Sequence, residues 1–294
     1  MPRRSWLFVP AGSESKLEKA GGAGADVVII DLEDSVAPEA KESARKLAQD
    51  WLIAHRLQLL EGRRLARWVR INGFDTPFWR DDLHAVMGTQ PQGIILPKAA
   101  GAEQLQALSA ELYGHEQRYA LPPNSTQIIP MVGETPAAAL TIPSYIEASL
   151  PRLAGLAWGA EDLATALGAT RQQDDNGAWT SVFGLVRAHV LLSAHARGVL
   201  AIDTPHAAFK ELEVLEKAAK GAAADGFDGM LAIHPAQVPI INRAFTPSAE
   251  KLAEARAIVD IFAANPGAGA VSFAGRMIDQ PHLAQARRLL GMTS

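Results

Sequence analysis

Eight short apolar segments recur along the chain at intervals of roughly twenty-five to forty residues. They fall at residues 5–9, 27–31, 68–72, 93–97, 127–131, 153–158, 199–203 and 230–234. Each is too short for a typical buried helix, and most are rich in β-branched or large apolar residues, as a strand covered on both faces should be. Between them run Ala-rich stretches carrying Glu and Lys with helical periodicity, so the chain reads strand, helix, strand, helix. Eight such units in about 250 residues predict an α/β fold, a (β/α)8 TIM barrel. No Pro/Gly/Ser-rich linker or charge block divides the chain, and the repeats share rhythm rather than sequence, which argues against a solenoid. The expected organisation is a catalytic barrel over residues 1–245 followed by a C-terminal helical extension, residues 246–294.

In this architecture the loops after the strands build the active site. The second segment ends in Asp31-Leu32-Glu33-Asp34-Ser35-Val36-Ala37-Pro38, an acidic turn leading into a helix expected to begin near Pro38. The third delivers Arg70 and Asn72, the fourth Lys98, the fifth Glu134, the sixth Glu161 and Asp162, and the last two Asp203 and His234. A ring of oxygen donors with one arginine and one lysine suits a hard divalent cation and a substrate bearing a carboxylate. Glu134 and Asp162, from consecutive strands, are the candidate ligands of Mg2+ (or Mn2+), with water and substrate completing the shell. Asp31, Glu33 and Asp34 would hold metal-bound waters and orient Lys98 or Arg70. Arg70 would form a bidentate pair with a substrate carboxylate, so that Arg70, Glu33, Asp34 and Lys98 make up the candidate substrate-binding set.

Blander readings compete at each position. Glu161 and Asp34 suit helix caps or surface turns, and Arg70 suits a barrel-interior charge paired with an acid. Lys98 suits a solvated loop. Asp203-Thr204-Pro205 reads as a cap with Pro205 opening the next helix, and His234 before Pro235 as a structural hydrogen-bonding residue.

Composition narrows the partners. A formal net charge of -4 and a pI near 6.1 give no basic field of the kind that gathers nucleic acid or anionic lipid. The absence of cysteine excludes thiolate catalysis, disulfides and Cys-ligated zinc. Met1-Pro2-Arg3-Arg4 and the apolar run behind it imitate a signal peptide, but Pro10 cuts the run short. No apolar stretch is long enough to span a bilayer. A cytoplasmic protein acting on small molecules is expected. No HExxH, GxSxG, GxGxxG or P-loop pattern occurs.

At these positions the chain resembles the citrate lyase beta-subunit family within the HpcH/HpaI aldolases, the group that also contains malyl-CoA and citramalyl-CoA lyases. The likeness is carried by Leu7-Phe8-Val9-Pro10, the Asp31 to Pro38 block, Val69-Arg70-Ile71-Asn72, Leu96-Pro97-Lys98, Gly133-Glu134-Thr135, Gly159-Ala160-Glu161-Asp162-Leu163, Ala201-Ile202-Asp203 and Ile233-His234-Pro235-Ala236-Gln237. These run in family order and cover nearly the whole chain. The resemblance implies a Mg2+-dependent lyase that breaks or forms a carbon-carbon bond in a 3-hydroxyacyl-CoA, giving an acyl-CoA and a 2-oxo acid. It carries the metal ligands to Glu134 and Asp162 and the substrate-carboxylate arginine to Arg70. It also implies a C-terminal segment that packs over a neighbouring subunit's site and contributes an aspartate. Gly275-Arg276-Met277-Ile278-Asp279 looks like that segment, which makes Asp279 the second catalytic candidate beside Arg70. Members commonly form trimers or hexamers, and further lyase subunits are possible partners. Arg3, Arg4 and Lys16 are candidates for the phosphates of CoA. The chain departs from the family at Thr204-Pro205, where many relatives carry Gly and then an aromatic residue, and at Met230, where lysine is frequent. The competing functions are a metal-dependent aldolase acting on free oxo acids without CoA, a Schiff-base enzyme using Lys98, and a non-catalytic acyl-CoA-binding subunit.

Overall fold

The computed structural model describes residues 3–60 and 63–292. By contact the chain divides into two compact units, one ending at Phe245 and the other beginning at Thr246.

The first unit is a closed barrel of eight parallel strands: β1 (Ser5–Pro10), β2 (Val27–Asp31), β3 (Ala66–Arg70), β4 (Gly93–Ala99), β5 (Gln127–Val132), β6 (Gly155–Trp158), β7 (Leu200–Asp203) and β8 (Gly229–Ala232). Each pairs with its sequence neighbours, and β8 closes on β1. Helices α1 (Glu14–Ala20), α2 (Lys41–Ala54), α3 (Trp79–Val86), α4 (Ala102–Arg118), α5 (Pro136–Thr141), α6 (Ser144–Glu147), α7 (Ala160–Leu167), α8 (Ser181–Arg197), α9 (Leu212–Asp225) and α10 (Val238–Ala244) occupy the connections.

The period-2 alternation of each strand sorts its side chains into two cores. Trp6, Val27, Ile29, Trp68, Ile129 and Leu231 belong to a cluster that fills the barrel. Their sequence neighbours Leu7, Val28, Ile30, Val69 and Ile128 join helix residues such as Leu17, Ala48 and Leu105 in a second cluster outside it. This parity also turns Asp31, two residues beyond Ile29, and Arg70, two beyond Trp68, toward the interior at the carboxyl end. At the opposite end Trp6 and Trp68 meet edge to face with ring centroids 5.3 Å apart, a geometry worth about 0.5–1.5 kcal/mol beyond area burial.

The second unit contains α11 (Ala249–Ala264), the antiparallel hairpin β9 (Ala270–Phe273) and β10 (Arg276–Asp279), and α12 (Gln280–Leu289). Ala274 and Gly275 at the hairpin tip both take positive φ, as a two-residue turn matching the twist of the strands demands. Ile258, Phe262, Ile278 and Leu283 form its own small core. Among the described residues no helix is long and apolar enough to cross a membrane.

One expectation fails here. Pro205 does not open a helix: α9 begins at Leu212, and Asp203 is drawn instead into the helix layer by Trp158 and Arg187.

A β-carbon at Gly93 would lie 2.3 Å from the ring of Trp68, which is fully buried. Gly93→Ala should therefore cost at least about 1–3 kcal/mol of stability through overpacking, measured by urea unfolding. An unchanged midpoint would show that the tryptophan pair can shift freely.

Candidate active site

The carboxyl ends of β2 to β6 bring one cluster of charges together. Asp31 and Arg70 are direct register partners, and Arg70 donates from Nε and Nη2 to the two Asp31 oxygens at 2.7 and 2.8 Å. Arg70 Nη1 stands 2.9 Å from Glu33 Oε2, although that buried oxygen has no aligned hydrogen bond. The guanidinium also lies 4.6 Å from the ring centroid of Phe8, within cation–π range. Burial alone would weaken the arginine's charge, but the charge and hydrogen bonds of Asp31 outweigh it and raise its pKa. Asp31 is correspondingly held below the usual carboxylate range: burial opposes its ionisation, and Arg70 overrides that cost. Asp31 takes the Nε–Nη2 edge of Arg70, and the Nη1–Nη2 edge retains N–H groups toward the cluster. Nη1 faces Glu33.

Lys98 is the hub of the cluster. It sits in β4 with φ +51°, a left-handed conformation uncommon for a side-chain-bearing residue. The β4–β5 register shifts between Leu96 and Ala99, a bulge of the kind that re-aims side chains beside active sites. Its backbone N–H donates to Glu134 Oε2. Its Nζ donates to Glu33 Oε1 and, at 3.2 Å, to both oxygens of Asp34, and lies 4.0 Å from Asp162 Oδ1. Burial works against the ammonium, yet the hydrogen bond and charge of Glu33, with Asp34 and Asp162, hold its pKa well above the ordinary value. A Schiff-base nucleophile must be a free amine, so this environment speaks against that role for Lys98.

Glu134 follows β5 directly. Gly133 turns the chain at φ +74°, and a β-carbon there would strike Val186 at 2.6 Å, so only glycine takes this bend without strain. Thr135 then caps α5 by accepting from the Ala138 N–H at 3.2 Å. Glu134 is thereby fixed between a tight turn and a helix start, and it is buried. Its carboxyl pKa is pushed up to about 8, by burial first and then by the charge of Asp162. Asp162 stands in the first turn of α7, where a helix N-terminus favours an anion.

The donor set fits a divalent cation. Five carboxylates, Asp31, Glu33, Asp34, Glu134 and Asp162, face two cations, Arg70 and Lys98. Glu134 and Asp162 repel each other while no cation lies between them. Among the described residues no three His, Asp or Glu side chains are spaced to hold a metal by themselves, and Mg2+ is usually held by one or two carboxylates with water and substrate oxygens.

Other predicted residues fall elsewhere. Arg3 and Arg4 precede β1 and close the amino-terminal end of the barrel. The Arg3 guanidinium lies 6.0 and 5.7 Å from the ring centroids of Trp6 and Trp68, and Arg4 is paired with Asp26 at 2.8 Å. The assignment of these two arginines to CoA phosphates is therefore corrected. Lys16 is exposed on α1. His234 accepts from the Ala236 N–H in a capping box, the structural role expected of it. Asp279, in the second unit, is the N-cap of α12 and pairs with His282 Nδ1.

Sequence reasoning missed Lys41, a buried lysine whose Nζ donates to the carbonyls of Leu32 and Glu33 at 2.7 and 2.9 Å. Asn72 donates to the same Leu32 carbonyl at 3.0 Å, and together they clamp the acidic turn from behind. A lysine at the first position of α2 runs against the helix dipole, which was the available signal.

Comparisons with known proteins find relatives that span nearly the whole chain. The family model described as HpcH/HpaI aldolase/citrate lyase matches residues 4–235. A citrate lyase subunit beta-like protein of Mycobacterium tuberculosis is 38% identical over 97% of this chain and 93% of its own. A (3S)-malyl-CoA thioesterase of Cereibacter sphaeroides is 34% identical over 98% and 94%. The crystal structure of the protein CitE from Mycobacterium tuberculosis in complex with magnesium, acetoacetate and coenzyme A superposes with a TM-score of 0.77 at 34% identity, covering 99% of this chain and 98% of that one. The family model spans most of the chain, the relatives match it nearly end to end, and the chain belongs to the HpcH/HpaI aldolase/citrate lyase family.

Proposed function

We propose that the protein is a Mg2+-dependent carbon-carbon lyase acting on a 3-hydroxyacyl-CoA such as citryl-, malyl- or citramalyl-CoA, with Glu134 and Asp162 as the metal-holding pair. The observation that carries this reading is that Lys98 brings two carboxylates to one place, its backbone N–H on buried Glu134 and its Nζ 4.0 Å from Asp162 at the start of α7, in a cluster where carboxylates outnumber cations. Bound there, Mg2+ would supply Lewis acidity toward the substrate's oxygens.

The chain's own residues account for the remaining tasks. In cleavage the substrate hydroxyl gives its proton to water, the adjacent carbon-carbon bond breaks as the hydroxyl carbon becomes the carbonyl of the 2-oxo acid, and the bond's electron pair stays on the thioester α-carbon as an enolate that must then take a proton. Arg70, immobilised by Asp31, meets the carboxylate of the 2-oxo acid half through Nη1, where the poorly aligned Glu33 is the group displaced. Lys98, kept cationic by Glu33 and Asp34, balances charge at the mouth. Asp279 of a second copy serves as the acid that protonates the enolate. A homotrimer or hexamer would bring it there, with residues 246–294 as the contributing extension. Val182, Leu185 and Leu192 on one face of α8 are exposed, and such a stripe suits burial between subunits. Lys16 remains a candidate for a CoA phosphate.

Thioester hydrolysis is the second reading, favoured by the relative named a malyl-CoA thioesterase. The two break different bonds. Incubation of each 3-hydroxyacyl-CoA with Mg2+ should release a 2-oxo acid and an acyl-CoA with no free thiol. Free CoA with an intact hydroxy acid would establish hydrolysis instead.

Glu134→Ala and Asp162→Ala should each reduce metal-dependent turnover by at least about a hundredfold, and full activity in either would remove it from the ligand set. Borohydride added with substrate should leave Lys98 unmodified while a chelator stops the reaction. A trapped adduct at Lys98 would reverse that assignment.

The raised pKa of Glu134 has a consequence for stability. Between its ordinary value of 4.5 and about 8 the folded, metal-free protein holds a proton that the unfolded chain has lost, so stability falls as pH rises through this window. Chelated protein should melt at a lower temperature at pH 8.5 than at pH 6, and Glu134→Gln should flatten the trend. An identical slope in that variant would assign the effect to other groups.

A further inference from the structure

Helix α7 carries Asp162 in its first turn but has no cap of its own. Its N-cap residue is Gly159, which offers no side-chain oxygen. The glycine is imposed by the site: a β-carbon at this position would lie 2.7 Å from Glu134 Oε1 and 3.2 Å from its Cγ. Serine, threonine, aspartate and asparagine, the residues that ordinarily cap helices, would therefore fit here only by displacing the Glu134 carboxylate from its place beside the helix start.

The missing oxygen arrives from the neighbouring strand. Thr204, the residue after β7, is buried, and its Oγ1 accepts from the Ala160 N–H at 3.2 Å. Thr204 is itself held, since its N–H donates to Asp203 Oδ1 at 2.9 Å. That same oxygen accepts from the indole of Trp158 at 2.8 Å, the residue directly before Gly159. Arg187 fixes the other Asp203 oxygen from Nε and Nη2 at 2.9 and 2.8 Å. Strand ends β6 and β7 are thus tied at two adjacent points, one on each side of Gly159.

We propose that Thr204 is a positioning residue for the metal site: it caps α7 in trans and so fixes Asp162 against Glu134. The inference rests on the reading of Glu134 and Asp162 as the metal-holding pair. Thr204 touches neither metal nor substrate in this role. Its hydroxyl replaces the cap that the proximity of Glu134 denies to the helix.

The test is Mg2+ binding by calorimetry, with the metal alone and no substrate, together with hydrogen exchange of the Ala160, Glu161 and Asp162 amides. Thr204→Val, which keeps the volume and removes the hydroxyl, should weaken Mg2+ binding by about 10–100-fold and speed exchange at those amides. Thr204→Ser should stay within about threefold of the native protein in affinity, with native exchange at the helix start. If Thr204→Val does not fold, Thr204→Ala replaces it with the same expected result. Native affinity and exchange in the hydroxyl-free variant, or equal losses in the serine variant, would overturn the proposal. Glu134→Gln and Asp162→Asn separate the two claims. If either binds Mg2+ as the native protein does, the metal-site reading fails; if both lose binding while the hydroxyl-free variant keeps it, only the role of Thr204 fails.

Discussion

The site is organised by a repulsion. Glu134 is buried, which by itself opposes its ionisation, and the like charge of Asp162 at the start of α7 opposes it further. Two anions so placed cannot both ionise cheaply, so one keeps a proton or a cation stands between them. Lys98 answers part of the demand: its backbone N–H is directed at Glu134, while its ammonium bridges Glu33 and Asp34 and lies 4.0 Å from Asp162. The surplus negative charge that remains is what a divalent ion would satisfy.

The barrel makes this arrangement affordable by holding the charges on rigid backbone. Strand parity delivers Asp31 and Arg70 to the interior, and register places them side by side, so the arginine is oriented before any ligand arrives. A bulge in β4 turns Lys98 to its task, and a glycine turn after β5 aims Glu134. Behind this face, Lys41 and Asn72 clamp the acidic turn. The Trp158–Asp203–Arg187 network supports the ends of β6 and β7. Binding energy that would otherwise be lost in ordering these groups is already committed in folding.

Much of this was legible from pattern alone. The eight apolar segments mark the eight barrel strands to within a few residues, because a strand buried on both faces must be short and apolar and cannot hide among amphipathic helices. Glu134, Asp162, Arg70 and Lys98 stand at or just beyond the carboxyl ends of strands, where the barrel builds its sites. What pattern does not carry is the partner of each group. That an acid of the Asp31 turn would orient Arg70 was expected, and the β2–β3 register adds which one, setting Asp31 directly beside it. Arg3 and Arg4 are by their charge candidates for CoA phosphates, although their position before β1 puts them at the amino-terminal end of the barrel. Thr204 read as part of a local cap for the following helix, while its hydroxyl serves a helix that precedes it by more than forty residues. Contacts across strands are invisible to a reading that sees only neighbours in sequence.

The most direct test of the account is anomalous diffraction from crystals soaked in Mn2+, an ion that scatters strongly and accepts the same oxygen ligands as Mg2+. The account predicts a single strong peak touching the carboxylates of Glu134 and Asp162 at the carboxyl end of the barrel. A peak that contacts neither residue, or no ordered ion at all at concentrations that sustain activity, would contradict it.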